Sequence, residues 1–311
     1  MRKVLLFSLL LLVVVGSSAL AMTIDEALQL FPESSDIMIE YNAGGQALLE
    51  EAIRAFEDAL GVTPSFDDMD EDAYMALPIA PEQKNWVNKL SQCYYTLGDV
   101  FLRDGDGAAR AFDVGRLWGL RSLRMNPDFA TEEQRHDFIA AVNRETDVAA
   151  IYWTYGNWAR KDEFDKLGAI VRNDPPKLLA LAERSLAVDK TYIAYGPYRS
   201  LAAFWGGLPP FPLMKFGQNL PRTLSYICPV IDESEYCSDC ANCPIDPDCD
   251  AYFENRLIFA QYYLMEKGLW DEAARVLQTI IDDPIGEIYQ LYNALDQQLA
   301  TELLDQVNEH R

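Results

Sequence analysis

Residues Ser122 to Phe129 read SLRMNPDF, and close variants of that phrase stand 63 positions to either side. Ala59 to Phe66 reads ALGVTPSF, and Ser185 to Tyr192 reads SLAVDKTY, so a small residue, Leu, an apolar residue and an aromatic keep one register. Three copies at one interval predict a repeat architecture. Each copy is reached through an amphipathic segment: EEAIRAFEDAL, AARAFDVGRLWGLRSL or KLLALAERSL. Two copies carry Pro at the sixth position, which cannot continue a helix, so the phrase marks a helix end with an aromatic packed beneath the turn.

Working outward, LGDVFLRDGDGAARAF reads as a helix, a turn at Asp104 to Gly107, and a second helix that opens on small residues. FAQYYLMEKGLWDEAARVL repeats that logic, with Gly268 at the turn, Trp270 as a plug between helices and Ala273 at a close crossing. Such pairs look like tetratricopeptide (TPR) hairpins, whose unit takes about 34 residues, so an interval of 63 fits two shortened units. Helices are expected over 45–60, 82–103, 107–124, 131–144, 146–160, 162–172, 176–188, 194–206, 250–267, 270–282 and 286–308, with strands nearly absent. Thr131 with Gln134 offers a capping box, and Pro175-Pro176 sits where a first helical turn tolerates proline. The fold class is therefore all-α: a TPR-like solenoid of helical hairpins forming a single domain over 22–311. An acidic loop (65–81) and an insertion (206–249) that holds five of the six cysteines interrupt it.

The chain starts MRKVLLFSLLLLVVVGSSALAM, with two basic residues ahead of a twelve-residue apolar run and Ala19-Leu20-Ala21 as a small-x-small site. This predicts a signal peptide over 1–21, cleavage after Ala21, and a periplasmic, exported product; no cysteine near the site offers a lipobox. Cleavage would move the formal charge from −23 to −25. So acidic a surface repels phosphate, which argues against nucleic acid and anionic lipid as partners.

No catalytic set emerges. The two histidines are His136, in a polar helical stretch, and His310, next to the C-terminus, and no motif for acyl transfer, zinc hydrolysis or phosphate cradling is found. The reading is of a protein that is not an enzyme and has no cofactor. Cys228, Cys237, Cys240, Cys243 and Cys249 crowd one loop, while Cys93 stands alone on a helix. Their C-x2-C-x2-C-x5-C spacing is near a cluster-binding run, but in an oxidising compartment disulfides are expected, with connectivity open and one cysteine left to find Cys93 or stay free. Asp246, Asp248 and Asp250 could hold calcium or form a solvated acidic loop. Aromatics gather in AIYWTYGNWAR and YIAYGPYRSLAAFWGGLPPFP, where packing between helices competes with the lining of an apolar cavity.

Several stretches together resemble the T component of tripartite ATP-independent periplasmic (TRAP) transporters, the TatT family. They are DVAAIYWTYGNWAR; PPKLLALAERSLAVDKTYIAYGPYRSLAAFWGGLPPFP with Gly196-Pro197-x-Arg199 and Leu208-Pro209-Pro210; Gly217-x-Asn219 opening the next helix; and NRLIFAQYYLMEKGLWDEAARVLQTIIDD. The likeness spans about 147–305. It implies a homotrimeric TPR-like periplasmic protein that docks a TRAP substrate-binding protein and passes a small hydrophobic ligand through a pore in each protomer. The positions matching the pore-flanking pattern are Trp153, Tyr198, Arg199, Leu208 and Pro210. Trp205 and Phe211 extend the expected apolar path; Arg199 would meet a ligand carboxylate or pair with an acid at a helix end. The chain departs from lipid-anchored members in lacking a lipobox cysteine and in its cysteine-rich insertion. The alternative reading is a general TPR scaffold that binds peptide segments of envelope proteins.

Overall fold

The computed structural model describes residues 21–32, 36–62, 71–210, 216–237, 244–246 and 248–311. The expected signal peptide apart from Ala21, residues 65–70 of the acidic loop, and Phe211, Cys240 and Cys243 lie outside the described residues. Among the described residues the fold is all-helical. In chain order the α-helices are α1 Ile24–Gln29, α2 Ala43–Ala59, α3 Glu71–Met75, α4 Lys84–Thr96, α5 Gly105–Arg124, α6 Pro127–Arg135, α7 Phe138–Val142 and α8 Val148–Glu163. There follow α9 Lys166–Val171, α10 Asp174–Val188, α11 Tyr192–Gly207, α12 Leu220–Ile227, α13 Ser234–Cys237, α14 Glu254–Phe259, α15 Trp270–Asp282 and α16 Gln290–Asn308. Two of them run on in π geometry: α4 through Leu97–Leu102, and α14 through Ala260–Met265.

The repeated phrase ends a helix each time, since α2, α5 and α10 stop at Ala59, Arg124 and Val188. In the middle copy Pro127 also begins the next helix: Asn126 accepts from the Asp128 and Phe129 amides, and Phe129 is fully buried under the turn. Thr131 therefore caps nothing. The helix expected over 131–144 is instead split at His136, where Asp137 accepts from the Ala140 amide and starts α7 afresh. In the same way Asp165 accepts from Gly168 N–H and separates α8 from α9. Asn219 caps α12 through the Arg222 amide, and Pro175-Pro176 lies in the first turn of α10.

Hairpins pack as anticipated where α4 meets α5 and where the π end of α14 meets α15. In the second, Gly268 adopts φ +70° at the turn and Ala273 is fully buried at the crossing. Trp270 packs, partly buried, against the core of α14, α15 and α16 and stacks on His310 just beyond α16, with centroids 4.5 Å apart. The array also closes on itself. Leu291, Tyr292 and Leu295 of α16 join the apolar core of α1, α2, α4 and α5, while Ala300, Leu303 and Val307 join that of α14 and α15. Asp36 accepts from the Tyr289 amide at 2.8 Å, the Thr96 and Tyr292 hydroxyls meet at 3.0 Å, and Arg103 pairs with Glu302 at 2.7 Å. A third core gathers α5, α6, α7, α8, α10 and α11. Helix α8 thus lies among neighbours, which is why its aromatic residues point in several directions.

One disulfide is described, Cys228–Cys237, so Cys228 does not seek out Cys93. Cys93 is a free, fully buried thiol on α4. Cys249, expected in a disulfide, is also free and buried; its sulfur lies 3.9 Å from Asp250 Oδ1, and burial among carboxylates lifts the thiol to about 12. Closing a nine-residue separation should stabilise the fold by about 2–3 kcal/mol through loss of unfolded-state entropy. Urea denaturation of Cys228→Ser/Cys237→Ser against the parent should show that loss.

Candidate functional site

Several polar side chains are wrapped by protein yet keep accessible surface. Asp99, on the π segment after α4, is 18% accessible; Arg160 and Glu163 at the end of α8 are 31% and 44%; Glu254, first residue of α14, is 30%. For Asp99 and Glu163, loss of water to surrounding protein is nevertheless the largest influence, and it raises both carboxyls above the usual range. Groups that are reachable by water but crowded on most sides line an internal recess. Each of these groups also feels the others: Asp99 feels Arg160 and Glu254, and Arg160 feels Asp99 and Glu163.

Aromatic side chains complete the wall. Tyr95 and Tyr152 flank Trp153, with centroids 5.3 and 5.1 Å from the indole, and Trp153 donates from Nε1 to the Tyr192 hydroxyl at 3.0 Å. Burial lifts the Tyr152 hydroxyl to about 12 and raises those of Tyr95 and Tyr262 further. Tyr262 sits on the second π segment, so both π segments supply the recess, one with an acid and one with a phenol. Single-turn π geometry inside a helix often marks a functional site. Small residues make room for the phenols. A Cβ at Gly196 would lie 2.5 Å from the Tyr152 hydroxyl oxygen, and one at Gly206 2.7 Å from the Tyr262 backbone oxygen.

Arg199 is the pivot of the site. Its guanidinium is buried and donates to Glu254 Oε2 at 2.9 Å, Asn255 Oδ1 at 2.9 Å, Ile193 O at 2.9 Å and Ala194 O. It lies over the Tyr252 ring at 4.2 Å, and its charge acts on the Tyr152 hydroxyl. The carbonyls it holds belong to an unusual turn: Ile193, Ala194 and Tyr195 all have positive φ, 47°, 46° and 66°. Left-handed backbone at three successive non-glycine residues is strained by about 1–3 kcal/mol each, and the guanidinium clamps it. Of the two readings of Arg199, the pairing with an acid at a helix end is the one the geometry displays.

The other expected pore residues fall elsewhere. Trp205 is buried between Phe204 and Phe216, with Arg222 over its ring at 4.3 Å, and Leu208 packs against the same core. Tyr198 packs toward α14 and α15, and Pro210 is exposed. The structure therefore brings Trp153 and Arg199 together at the recess, and sends Trp205 and Leu208 to the packing around α11. Sequence reading missed Tyr95, Asp99, Arg160, Glu254 and Tyr262. For Asp99 the signal was an acid on an otherwise apolar helix face, LGDVF.

A separate open cleft of about 440 Å3 lies beside Trp158, which has Arg116 and Lys177 over its ring at 5.6 and 5.3 Å. Its cations are engaged: Arg116 with Asp113, Arg124 with Glu133, and Arg172 and Lys177 with Asp174. Among the described residues no group of His, Cys, Asp and Glu gathers to hold a metal, and Asp246 instead accepts from the Asp248 amide and the Tyr195 hydroxyl. His136 is exposed beside Glu132. Among the described residues no helix is long and apolar enough to cross a membrane. No protein-family model matches the chain, and no curated protein does.

Proposed function

We propose that this protein is an exported, periplasmic accessory component of a TRAP transporter, which docks the substrate-binding protein and passes or holds a small, largely hydrophobic ligand. The observation that carries this reading is the aromatic recess beside Trp153 and Arg199, enclosed by helices from both ends of the chain. The resemblance to the TatT family supplies the partner and a trimeric assembly. Support for docking comes from α9, which exposes Leu167 at 78% and Val171 at 84%, one turn apart, with Phe164 at 42% just before them. Phe164 adjoins Glu163 in sequence and its ring lies 6.2 Å from that of Phe112, so the apolar stripe borders the recess on the α8 side. A partner seated there would cover apolar surface and close over the ligand path together.

Native mass spectrometry of the exported protein should show a bound apolar molecule. Pull-down from periplasmic extract should recover a TRAP-type binding protein, and Leu167→Asp/Val171→Asp should weaken that capture at least tenfold while circular dichroism stays unchanged. Absence of both the ligand and the binding protein would overturn the proposal. The scaffold reading draws on the same exposed stripe, and it gains if peptides compete for the stripe while the recess takes up nothing.

A further inference from the structure

The cleft beside Trp158 reverses the sign of the chain around it. Its lining carries five bases and three acids, in a chain with 26 bases and 49 acids. The bases are Arg116 and Arg124 of α5, Lys161 of α8, Arg172 just after α9 and Lys177 of α10. Physiological salt confines the reach of an exposed charge to about 8 Å, so this lining, more than the overall charge, sets what the cleft attracts. Lys161 is the least engaged of the five. Its nearest acid, Asp113, stands 3.8 Å away, beyond hydrogen-bond reach, and is already held by Arg116 at 3.0 Å. The terminal nitrogens of Arg116 and Arg124 carry two hydrogens each and direct one apiece to an acid, so donors remain for another oxygen.

One acid of the lining is held loosely. Glu71, first residue of α3, reaches Arg116 at 3.4 Å through one carboxylate oxygen and Arg124 at 3.2 Å through the other, and its side chain stays 44% exposed. Both arginines have firmer partners: Arg116 gives Nε and a terminal nitrogen to Asp113 at 3.0 Å, and Arg124 clasps Glu133 at 2.9 and 3.0 Å. Glu133 also acts on Arg124 more strongly than Glu71 does. An exposed pair of this kind contributes little, so another anion can take its place. Helix α3 does not depend on it, because Tyr74 is fully buried with its ring 5.1 Å from that of Trp118. Beside this seat the cleft has an apolar floor: Phe138, partly exposed and edge-on to Trp158 at 5.6 Å, with Leu120 next to it. A carboxylate bridging two guanidinium groups above an aromatic floor is a template for what the cleft accepts, and its space of about 440 Å3 admits a phenyl ring on a short chain.

We propose that this cleft binds a compact organic carboxylate, which replaces the Glu71 side chain between Arg116 and Arg124, draws in the Lys161 ammonium and rests its apolar body on Phe138, so that Glu71 is a built-in competitor for the site. The exchange is one carboxylate for another, which leaves the charge balance of the cleft as it was. None of these side chains belongs to the aromatic recess, so binding here is measured independently of the transport reading. The probes are phenylbutyrate, phenylbutanol, phenylbutylammonium and inorganic phosphate, titrated calorimetrically into the full exported chain at fixed ionic strength. Phenylbutyrate should bind about tenfold more tightly than the alcohol, and the ammonium compound more weakly than either. Glu71→Ala should tighten phenylbutyrate about fivefold and Lys161→Gln should weaken it by a similar factor, both leaving the alcohol unchanged. Lys161→Gln breaks no hydrogen-bonded ion pair, and circular dichroism of both variants should match the parent. Equal binding of the alcohol and the carboxylate, or a Glu71→Ala variant that binds phenylbutyrate no more tightly than the parent, would overturn the proposal. Tighter binding of phosphate than of phenylbutyrate would overturn the carboxylate assignment, and absence of any phenylbutyrate binding in parent and Glu71→Ala alike would remove the site.

Discussion

Arg199→Met should lower the unfolding free energy by about 3–5 kcal/mol, among the largest losses expected from any single substitution in this chain. Methionine fills similar volume but donates nothing. It would leave the Glu254 carboxylate, the Asn255 amide oxygen and the carbonyls of Ile193 and Ala194 without their shared partner in the interior. It would also free the left-handed turn at Ile193 to Tyr195 to relax, so the strain now held by the guanidinium would be released by movement of the segment. Because Tyr152 packs against Gly196, in the segment that follows the turn, that movement should reach the recess wall. Urea denaturation reads the stability, and near-ultraviolet circular dichroism reads the tyrosines and Trp153. Glu254→Gln is the control: the amide oxygen can still accept from Arg199, so its loss should be well under half as large. A loss below about 1 kcal/mol in Arg199→Met would mean that the clamp is not what holds the turn.

Helix existence was legible because it depends on local periodicity and punctuation. The repeated phrase marked the ends of α2, α5 and α10 since Leu, Pro and a buried aromatic act within a few residues of one another. Splitting of 131–144 was not legible: Asn126 and Asp137 compete with Thr131 for the role of cap, and their geometry decides the outcome. The recess was half visible. Trp153 and Arg199 stand out as residue types, but the enclosing wall depends on Thr96 meeting Tyr292, 196 positions away, because α16 folds back on α4. Nothing local records that closure. The same holds for Arg199, where composition allows either a ligand contact or an ion pair, and only the positions of Glu254 and Asn255 choose.

A second large effect concerns pH. Glu57 on α2 is 1% exposed and accepts from the Tyr94 hydroxyl at 2.7 Å, and burial pushes its carboxyl up to about 7 from an ordinary 4.5. The folded form therefore holds a proton that the unfolded form has released across that window. Stability from this group is complete below about 4.5 and declines as pH rises through about 7, by about 3 kcal/mol in all. Asp162, raised to about 6 by burial with Asp174 adding to it, acts in the same direction. Glu57→Gln removes the titration while its amide oxygen can still accept from Tyr94. Urea midpoints of parent and variant should nearly coincide at pH 4.5 and diverge toward pH 8, with the variant the more stable of the two. Parallel curves across that range would show that Glu57 stays ionised in the fold and is stabilised by Arg54 rather than opposed by burial.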